Sequence, residues 1–142
     1  MATAADAEVL LKLYELRQEE TLRTARKFLG ADFNPKTIEE LRAVSRGSGT
    51  QENAYWRQAT SYWEMAHSLV LRGAVDADLF LDSAVEGLFL YAKFHHWHIE
   101  TEKATGNPFM RNTAKLIETN ATAKKRYEAV MESMAASRAA SK

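Results

Sequence analysis

Apolar residues recur at steps of three and four along most of the chain, which is the spacing of one face of an amphipathic helix. The first stretch of this kind carries its apolar stripe at Leu11, Tyr14, Leu22, Ala25 and Leu29. Charged residues occupy the opposite side, as they do on a helix that covers a core. The pattern predicts a first helix over residues 4–29, with Gly30 as its stop.

Cap and turn residues predict where the next helices begin and end. Thr37 and Glu40 have the spacing of a capping box, which starts a short helix that ends near Val44. A long helix, called predicted helix two, covers residues 51–72. Gly73 follows it as a left-handed C-cap.

Two more helices complete the pattern. Predicted helix three spans residues 76–104, and its first residue is an aspartate N-cap. Asn107 and Pro108 are a start signal for the last helix, with asparagine as the N-cap and proline in the first turn. We expect this helix to bend or break at Asn120 before it ends near residue 135.

These elements predict an all-α fold, a compact bundle of about five helices. The connection Gly73-Ala-Val-Asp76 is so tight that predicted helices two and three should be antiparallel neighbours. The Gly/Ser stretch of residues 46–50 is too short to separate two domains. We therefore expect one domain over residues 1–135, followed by a small and polar tail, residues 136–142, that frays.

One face of predicted helix two is rich in aromatic rings. At about 100° per residue, one arc of the helix holds Tyr55, Ala59, Tyr62, Trp63, Ala66, Leu69 and Val70. Core packing is the main interpretation, since each large ring can bury on the order of 200 Å². An aromatic ligand pocket or a dimer surface is the alternative. Glu64 lies on the far side of this wheel and is expected to face solvent.

Glu64 and His67 have the Glu-x-x-His spacing that carboxylate-bridged di-iron bundles use. Such a site also needs a second copy of the motif and two further glutamates, all projecting into the bundle. The sequence holds no second copy, and Glu64 is expected to point outward. The pattern therefore argues against a di-iron site.

Three histidines lie close together in the run His95-His-Trp-His98. The wheel separates His96 from the others, whereas His95, His98 and Glu102 share a face, and His67 on the neighbouring helix could add a fourth ligand. Imidazole and carboxylate ligands suit zinc or a similar divalent ion. The other interpretation is a buried, hydrogen-bonded His95 with His96 and His98 partly exposed, and no metal.

Charge and composition narrow the classes of partner. The 142 residues include 19 basic and 19 acidic side chains, so long-range attraction to nucleic acid is weak and nucleic acid is not the expected partner. The basic cluster Lys124-Lys-Arg126 fits a solvated face, with a weak nucleic-acid or acidic contact as the alternative. The sequence contains no cysteine, which excludes disulfides, thiolate nucleophiles and cysteine-ligated zinc.

Targeting and membrane signals are not found in the pattern. The first residues, Met1 to Asp6, lack the basic and apolar regions of a signal peptide. The most apolar stretch, residues 79–97, is interrupted by charged side chains and is not expected to span a bilayer. We therefore expect a cytoplasmic location and no membrane partner.

The segment from Tyr62 to Phe80 carries the most distinctive residues. It contains Tyr-Trp-Glu, then Arg-Gly-Ala-Val-Asp, then Leu-Phe. This order resembles that of a domain-of-unknown-function family of small, uncharacterised bacterial proteins that are all-helical. Leu13-Tyr-Glu-Leu-Arg17 and Asn107-Pro-Phe are similar in style. The resemblance implies an all-helical fold, with no established activity and no catalytic residues to assign.

No catalytic motif is found, since Gly47-Ser-Gly-Thr50 lacks the lysine of a phosphate loop and no serine lies in a nucleophile elbow. Predicted helix three is apolar beyond one stripe, at Leu79, Leu90 and Trp97, so it is either central or partly buried in a partner. The leading hypothesis is a non-enzymatic protein-interaction module that binds itself, as a homodimer, or another protein through aromatic-rich helices. The alternative is a metal- or small-ligand-binding protein with a site near His67, His95, His98 and Glu102.

Overall fold

The computed structural model describes residues 1–141, and these contain nine α-helices and no strand. The helices are α1 (Ala4–Arg17), α2 (Glu20–Lys27), α3 (Ile38–Ser45), α4 (Gln51–Leu71), α5 (Ala77–Leu81), α6 (Glu86–Phe94), α7 (Ile99–Thr105), α8 (Arg111–Thr119) and α9 (Ala121–Ala140). A π-helical turn, Phe28–Asp32, extends α2, and a 3₁₀ turn, His95–Trp97, follows α6. The all-α prediction is confirmed. The prediction of about five helices is wrong, because three of the predicted helices are interrupted.

The first interruption lies between α1 and α2. Glu19 has an extended backbone, with φ −59° and ψ 138°, and its carboxylate accepts hydrogen bonds from the amides of Thr21 and Leu22. Glutamate acts here as the N-cap of a new helix, a role more usual for shorter side chains. Gly30 lies inside the π-helical turn. The prediction that Gly30 ends a helix of residues 4–29 is therefore wrong.

Predicted helix three is divided into α5, α6 and α7. At the end of α5 the carbonyl of Phe80 accepts from the amides of both Ser83 and Ala84, at 3.3 and 3.0 Å, which tightens the chain into a turn before α6. The 3₁₀ turn then separates α6 from α7. A wheel for one continuous helix does not apply to these residues, and antiparallel pairing with α4 is not confirmed.

Several local signals act as the sequence predicts. The Thr37 hydroxyl accepts from the Glu40 amide at 3.1 Å, although Glu40 accepts from the amide of Lys36 rather than from that of Thr37. Asp76 caps α5 by accepting from the Leu79 amide. Gly73, with φ 77°, takes the left-handed position after α4, as its lack of a Cβ allows.

The start of the next helix differs from the prediction. Glu102 accepts a hydrogen bond from the amide of Phe109 at 2.8 Å, which holds residues 107–110 as a loop. Met110 is left-handed, with φ 45° and ψ 65°, and α8 begins only after it. The prediction that Asn107 caps a helix with Pro108 in its first turn is therefore wrong.

Asn120 separates α8 from α9 with an extended backbone and caps α9 by accepting from the Ala123 amide at 2.9 Å. The break that the sequence allowed at this residue is thus present. α9 continues to Ala140, across most of the segment expected to fray, and Lys142 lies outside the described residues. The prediction of a single domain over residues 1–135 stays a prediction.

The hydrophobic core is built around α4, which packs against α2, α3, α6 and α8. Five members of the predicted aromatic face of α4 are buried, namely Ala59, Tyr62, Trp63, Ala66 and Val70, and Trp56, at the edge of that face, is buried too. Trp63 is 1% exposed and packs edge-on against Tyr62. Core packing, the main interpretation of this face, is what the structure has.

The apolar residues of predicted helix three that suggested a homodimer are buried or partly buried inside the fold. Leu90 is buried, and Leu79 and Trp97 are partly buried. Self-association through that region therefore gains no support from the fold. Among the described residues, no helix is long and apolar enough to cross a membrane.

Candidate functional site

His67 is enclosed in the core rather than open to a ligand. Its ring is 0% exposed and lies between Trp63 and Phe80, with centroids 6.1 and 5.7 Å away. Burial lowers the pKa of His67 to about 4, so the imidazole is neutral at neutral pH. Its Nδ1 lies 2.6 Å from the hydroxyl oxygen of Thr113.

His95 and Glu102 do come together. The Nε2 atom of His95 lies 2.8 Å from Oε1 of Glu102, and the other oxygen of Glu102 accepts from the Phe109 amide. The His95 ring stacks on Tyr91 with centroids 4.6 Å apart. The pair therefore joins α7 to the loop before α8 and to α6, which is a structural role for both side chains.

His98 is held apart from that pair. Its Nδ1 lies 2.9 Å from the carbonyl oxygen of Phe94, and its ring stacks on Phe109 with centroids 3.9 Å apart. Within residues 1–141, no three histidine, aspartate or glutamate side chains are grouped so that they could hold a metal ion. The set His67, His95, His98 and Glu102 is thus not assembled as a preformed zinc site, and within it the side chains of His95 and Glu102 alone are hydrogen-bonded to each other.

Glu64 lies at an interface between helices, so the expectation that it faces solvent is wrong. Its carboxylate accepts from the backbone amides of Asn112 and Thr113, both at 2.9 Å, and from the Thr113 hydroxyl at 2.8 Å. These amides belong to the first turn of α8, which Met110 cannot cap with its thioether. Glu64 supplies the missing cap from α4.

Glu64, Thr113 and His67 form one connected network. The Thr113 hydroxyl donates its proton to the Glu64 carboxylate, because an ionised carboxylate can only accept. The hydroxyl oxygen of Thr113 therefore accepts a hydrogen bond from Nδ1 of His67, which carries the ring proton. Nε2 of His67 then carries a lone pair, and among the described residues it has no hydrogen-bond partner. Gly87 lies against it: a Cβ there would come within 2.9 Å of Nε2. No substrate can reach this nitrogen, so the network stabilises the core.

A second kind of site lies beside α1. A groove of about 260 Å³ runs between α1, α4 and the connection from α5 to α6. Its walls are mainly apolar and aromatic, and include Leu10, Leu13, Tyr14, Tyr62, Trp63 and Phe80. Leu11 and Tyr14 lie at its edge and are 66% and 52% exposed. An apolar groove of this kind is the usual setting of a ligand site.

Arg17 is the charged residue of this groove. Its guanidinium lies 4.6 Å from the ring centroid of Tyr14 and 5.9 Å from that of Trp63. The Nε atom of Arg17 is buried and has no hydrogen-bond partner within residues 1–141. The residue as a whole is partly exposed, and its guanidinium forms no ion pair within residues 1–141.

The nearest acidic network is already occupied. Both oxygens of Glu86 accept from the Arg26 guanidinium, at 2.7 and 3.0 Å, and Trp63 donates its indole N–H to the same carboxylate. Arg26 also donates to the backbone carbonyl of Arg17. Arg26 thus holds the Arg17 backbone, while the guanidinium of Arg17 forms no ion pair within residues 1–141.

Sequence reasoning did not identify this groove. The signal was present in α1, where Leu11, Tyr14 and Leu16 add apolar side chains outside the face that is buried at Leu13. A helix that is apolar on more than one side has a second neighbour or an open apolar surface. Arg17 gave no signal, because its place in the groove depends on residues far away in the sequence, such as Tyr62 and Phe80.

Comparison with known proteins gives one match. The model of a protein family described as a domain of unknown function (DUF4760) matches residues 2–120. The match includes every residue of the groove and ends where α9 begins. No curated protein and no solved structure matches the chain.

Proposed function

The chain belongs to the DUF4760 family, a domain of unknown function, so we propose a function from the groove beside α1. We propose that the protein is a non-enzymatic binding protein and that the groove binds a small apolar acid. The observation that carries this proposal is the guanidinium of the partly exposed Arg17, which forms no ion pair within residues 1–141 and lines an otherwise apolar groove. Ligand sites combine such walls with a few placed polar groups that fix orientation.

The size of the groove supports a small ligand. Its volume of about 260 Å³ is below the range of drug-sized sites, so an alkyl chain or a single ring fits it better than a larger cofactor. Rings of Tyr62 and Trp63 and the side chain of Phe80 offer apolar contact. Burial of an apolar ligand there is worth about 25 cal/mol per Å².

Arg17 is the reason to expect a carboxylate on the ligand. A guanidinium is a donor only, and a carboxylate is the acceptor that matches it best. The stacking of Arg17 on Tyr14 holds the guanidinium in place before the ligand arrives, which lowers the entropic cost of binding. The proposed role is therefore recognition of a carboxylate next to an apolar chain.

Calorimetric titration with octanoate at neutral pH tests this function. We expect octanoate to bind with a dissociation constant of about 0.1–1 mM, typical of a ligand of this size. Octanol and octylammonium keep the chain and remove the acid, and both should bind at least about tenfold more weakly, since a charge-assisted hydrogen bond is worth about 1.5–3 kcal/mol.

Two variants and a matched control complete the test. Arg17→Met retains an unbranched aliphatic stem but removes the guanidinium, so it should abolish the preference for octanoate over octanol. Arg23→Met, at an exposed residue of α2, should leave that preference unchanged. Ser83→Phe, at an exposed residue of the groove, should block both ligands. No saturable octanoate binding by the unaltered protein, or unchanged preference in Arg17→Met, would contradict the proposal.

A protein partner is the second candidate, and one observation favours it. Leu11 and Tyr14 are exposed at the edge of the groove, and with Ala4, Ala7 and Gln18 they form a stripe at alternating steps of three and four. This is the spacing of a seam between two helices. A second copy of the chain, or another protein, could then place an apolar side chain in the groove.

Self-association is checked by sedimentation velocity across a micromolar concentration series. If α1 forms the contact, Leu11→Asp should abolish the concentration dependence. Leu16→Asp is the matched control, because Leu16 is an exposed leucine of the same helix that does not line the groove. Monomer at every concentration would remove self-association and leave the octanoate result unaffected.

A further inference from the structure

A second cavity, of about 230 Å³, lies between α3, the 3₁₀ turn and α7, and it shares no lining residue with the groove beside α1. Its lining differs in character. Arginine and hydroxyl groups face an aromatic wall, through Arg42, Arg46, Thr101, Trp56 and Trp97. A cavity of this composition suits an anion attached to an organic group.

Two arginines give the cavity its charge. Arg42 lies in the last turn of α3 and Arg46 is the residue that follows the helix. Both are exposed, and both line the cavity. Within residues 1–141 neither guanidinium takes part in an ion pair or a side-chain hydrogen bond. Two like charges this close repel, and an anion between them would convert the repulsion into attraction.

The helix end does not cancel this charge. The C-terminus of α3 carries partial negative charge on its carbonyls, which by itself disfavours an anion. The Asn53 side-chain amide donates to the carbonyls of Val44 and Ser45, at 2.8 and 3.1 Å. Asn53 thereby satisfies two of the four carbonyls that a helix end leaves open.

His98 adds an imidazole ring to the aromatic wall of the cavity. Its Nδ1 donates to the Phe94 carbonyl, so Nε2 of the neutral ring carries a lone pair and can only accept a hydrogen bond. Burial lowers the pKa of His98, and the charge of Arg46 adds to that effect. Stacking on Phe109 fixes the ring plane, with an angle of 2° between the rings.

We propose that this cavity binds the phosphate group of a small organic phosphate, with Arg42 and Arg46 on the oxyanion and the aromatic wall of Trp56 and Trp97 against the organic part. Arginine presents five donors in a fork that matches phosphate oxygens, two at a time. Two unpaired arginines match a dianion better than the single charge of a carboxylate. The site is independent of the groove beside α1 and of its proposed ligand.

The test is a titration with phenyl phosphate. Calorimetry measures the affinity, and the indole N–H signals in ¹H–¹⁵N spectra report where the ligand binds. The Trp97 signal is identified from Trp97→Phe. We expect saturable binding that shifts the signals of Trp97 and Trp56 more than that of Trp63, since Trp63 lies outside this cavity. Inorganic phosphate should bind more weakly, because it makes no contact with the wall.

Charge-matched variants decide whether these arginines are the site. Arg42→Gln with Arg46→Gln should weaken phenyl phosphate binding by at least about tenfold, as loss of charge-assisted bonds predicts, whereas Arg23→Gln with Arg126→Gln should change it by less than about twofold. Arg17→Met should bind phenyl phosphate normally. Thermal melts establish that each variant is folded.

Three results would overturn the proposal. The first is no saturable binding by the unaltered protein. The second is equal weakening in the two double variants, which would indicate general charge attraction. The third is benzoate binding as tightly as phenyl phosphate, which would assign the cavity to carboxylates instead.

Discussion

Thr113 donates two hydrogen bonds to the same carboxylate oxygen of Glu64, one from its backbone amide at 2.9 Å and one from its hydroxyl at 2.8 Å. The two residues are 49 positions apart in the chain. Through them α4 caps α8, and through the Thr113 hydroxyl the same carboxylate orients His67 in the core. A residue expected on the surface thus joins two helices and a buried ring.

Replacing Glu64 tests this cap. Glu64→Ala leaves two amides of α8 and the Thr113 hydroxyl without their acceptor, so the free energy of unfolding should fall by about 1–3 kcal/mol. Urea denaturation monitored by circular dichroism measures the change. Glu128→Ala is the control, because Glu128 is an exposed residue of α9, and it should cost less than about 0.5 kcal/mol. Equal stability of the two variants would mean that the cap does not form.

Gly87 should be intolerant of a methyl group. A Cβ there would lie 2.6 Å from Cε1 of His67 and 3.1 Å from Cδ2 of Trp63, and both are rings fixed in the core. Gly87→Ala should therefore destabilise the protein by about 1–3 kcal/mol, in spite of the roughly 0.8–1.0 kcal/mol that alanine gains over glycine in a helix.

A variant of His67 tests whether contact with its ring causes the loss of stability in Gly87→Ala. In a background that already carries His67→Ala, the two contacts under 3.0 Å are gone and only the 3.1 Å contact with Trp63 is left, so Gly87→Ala should cost less than in the unaltered protein. A double-mutant cycle on unfolding free energies measures the coupling. If the Gly87→Ala cost is the same in both backgrounds, the contact with His67 is not its cause.

His67 should make stability depend on pH. Its pKa falls from 6.5 to about 4 on burial, so the folded state binds fewer protons than the unfolded state between these values. The contribution of the neutral, buried His67 to the free energy of unfolding is fully present above pH 6.5 and is lost as the pH falls towards 4. Its slope can reach about 1.4 kcal/mol per pH unit.

The variant His67→Gln removes this titration. Unfolding free energies at several pH values between neutral and mildly acidic should decline less steeply in the variant than in the unaltered protein. His98, whose pKa burial also lowers, contributes a slope of the same sign and is present in both proteins. Parallel pH profiles would contradict a neutral, buried His67.

Trp63 should be costly to remove. It is 1% exposed, contacts Tyr62 and His67, and donates to Glu86. Trp63→Ala should lower the unfolding free energy by about 3–5 kcal/mol. Thermal or urea denaturation measures it, with Trp97→Ala, at a partly exposed ring, as the comparison that should cost less.

Local chemistry explains which parts of the fold the sequence could predict. Thr37, Asp76 and Gly73 cap helices with their own side chain or backbone, so neighbours in the chain suffice to identify them. Glu19 caps α2 with a longer acid than the usual N-cap residues, and the division between α1 and α2 gave no ordinary signal. Such breaks are visible only from the backbone.

The candidate site was less predictable, since it depends on residues far apart in sequence. The wheel for α4 placed the aromatic rings correctly and Glu64 wrongly, because it had no knowledge that α8 covers the flank of α4. The wheel for predicted helix three placed His95, His98 and Glu102 on one face. His95 and Glu102 are in contact, whereas the His98 ring is held by Phe94 and Phe109, because a 3₁₀ turn replaces the α-helix at His95–Trp97. Arg17 lines the groove without an ion pair, which depends on how α1, α4 and the connection from α5 to α6 pack.

The most direct measurement of the central claim, that the groove beside α1 binds an apolar acid, is the set of intermolecular nuclear Overhauser effects between octanoate and the protein. The alkyl protons should give effects to the rings of Tyr14 and Trp63, and Arg17→Met should weaken them. Effects to residues elsewhere, or none at saturating octanoate, would contradict it.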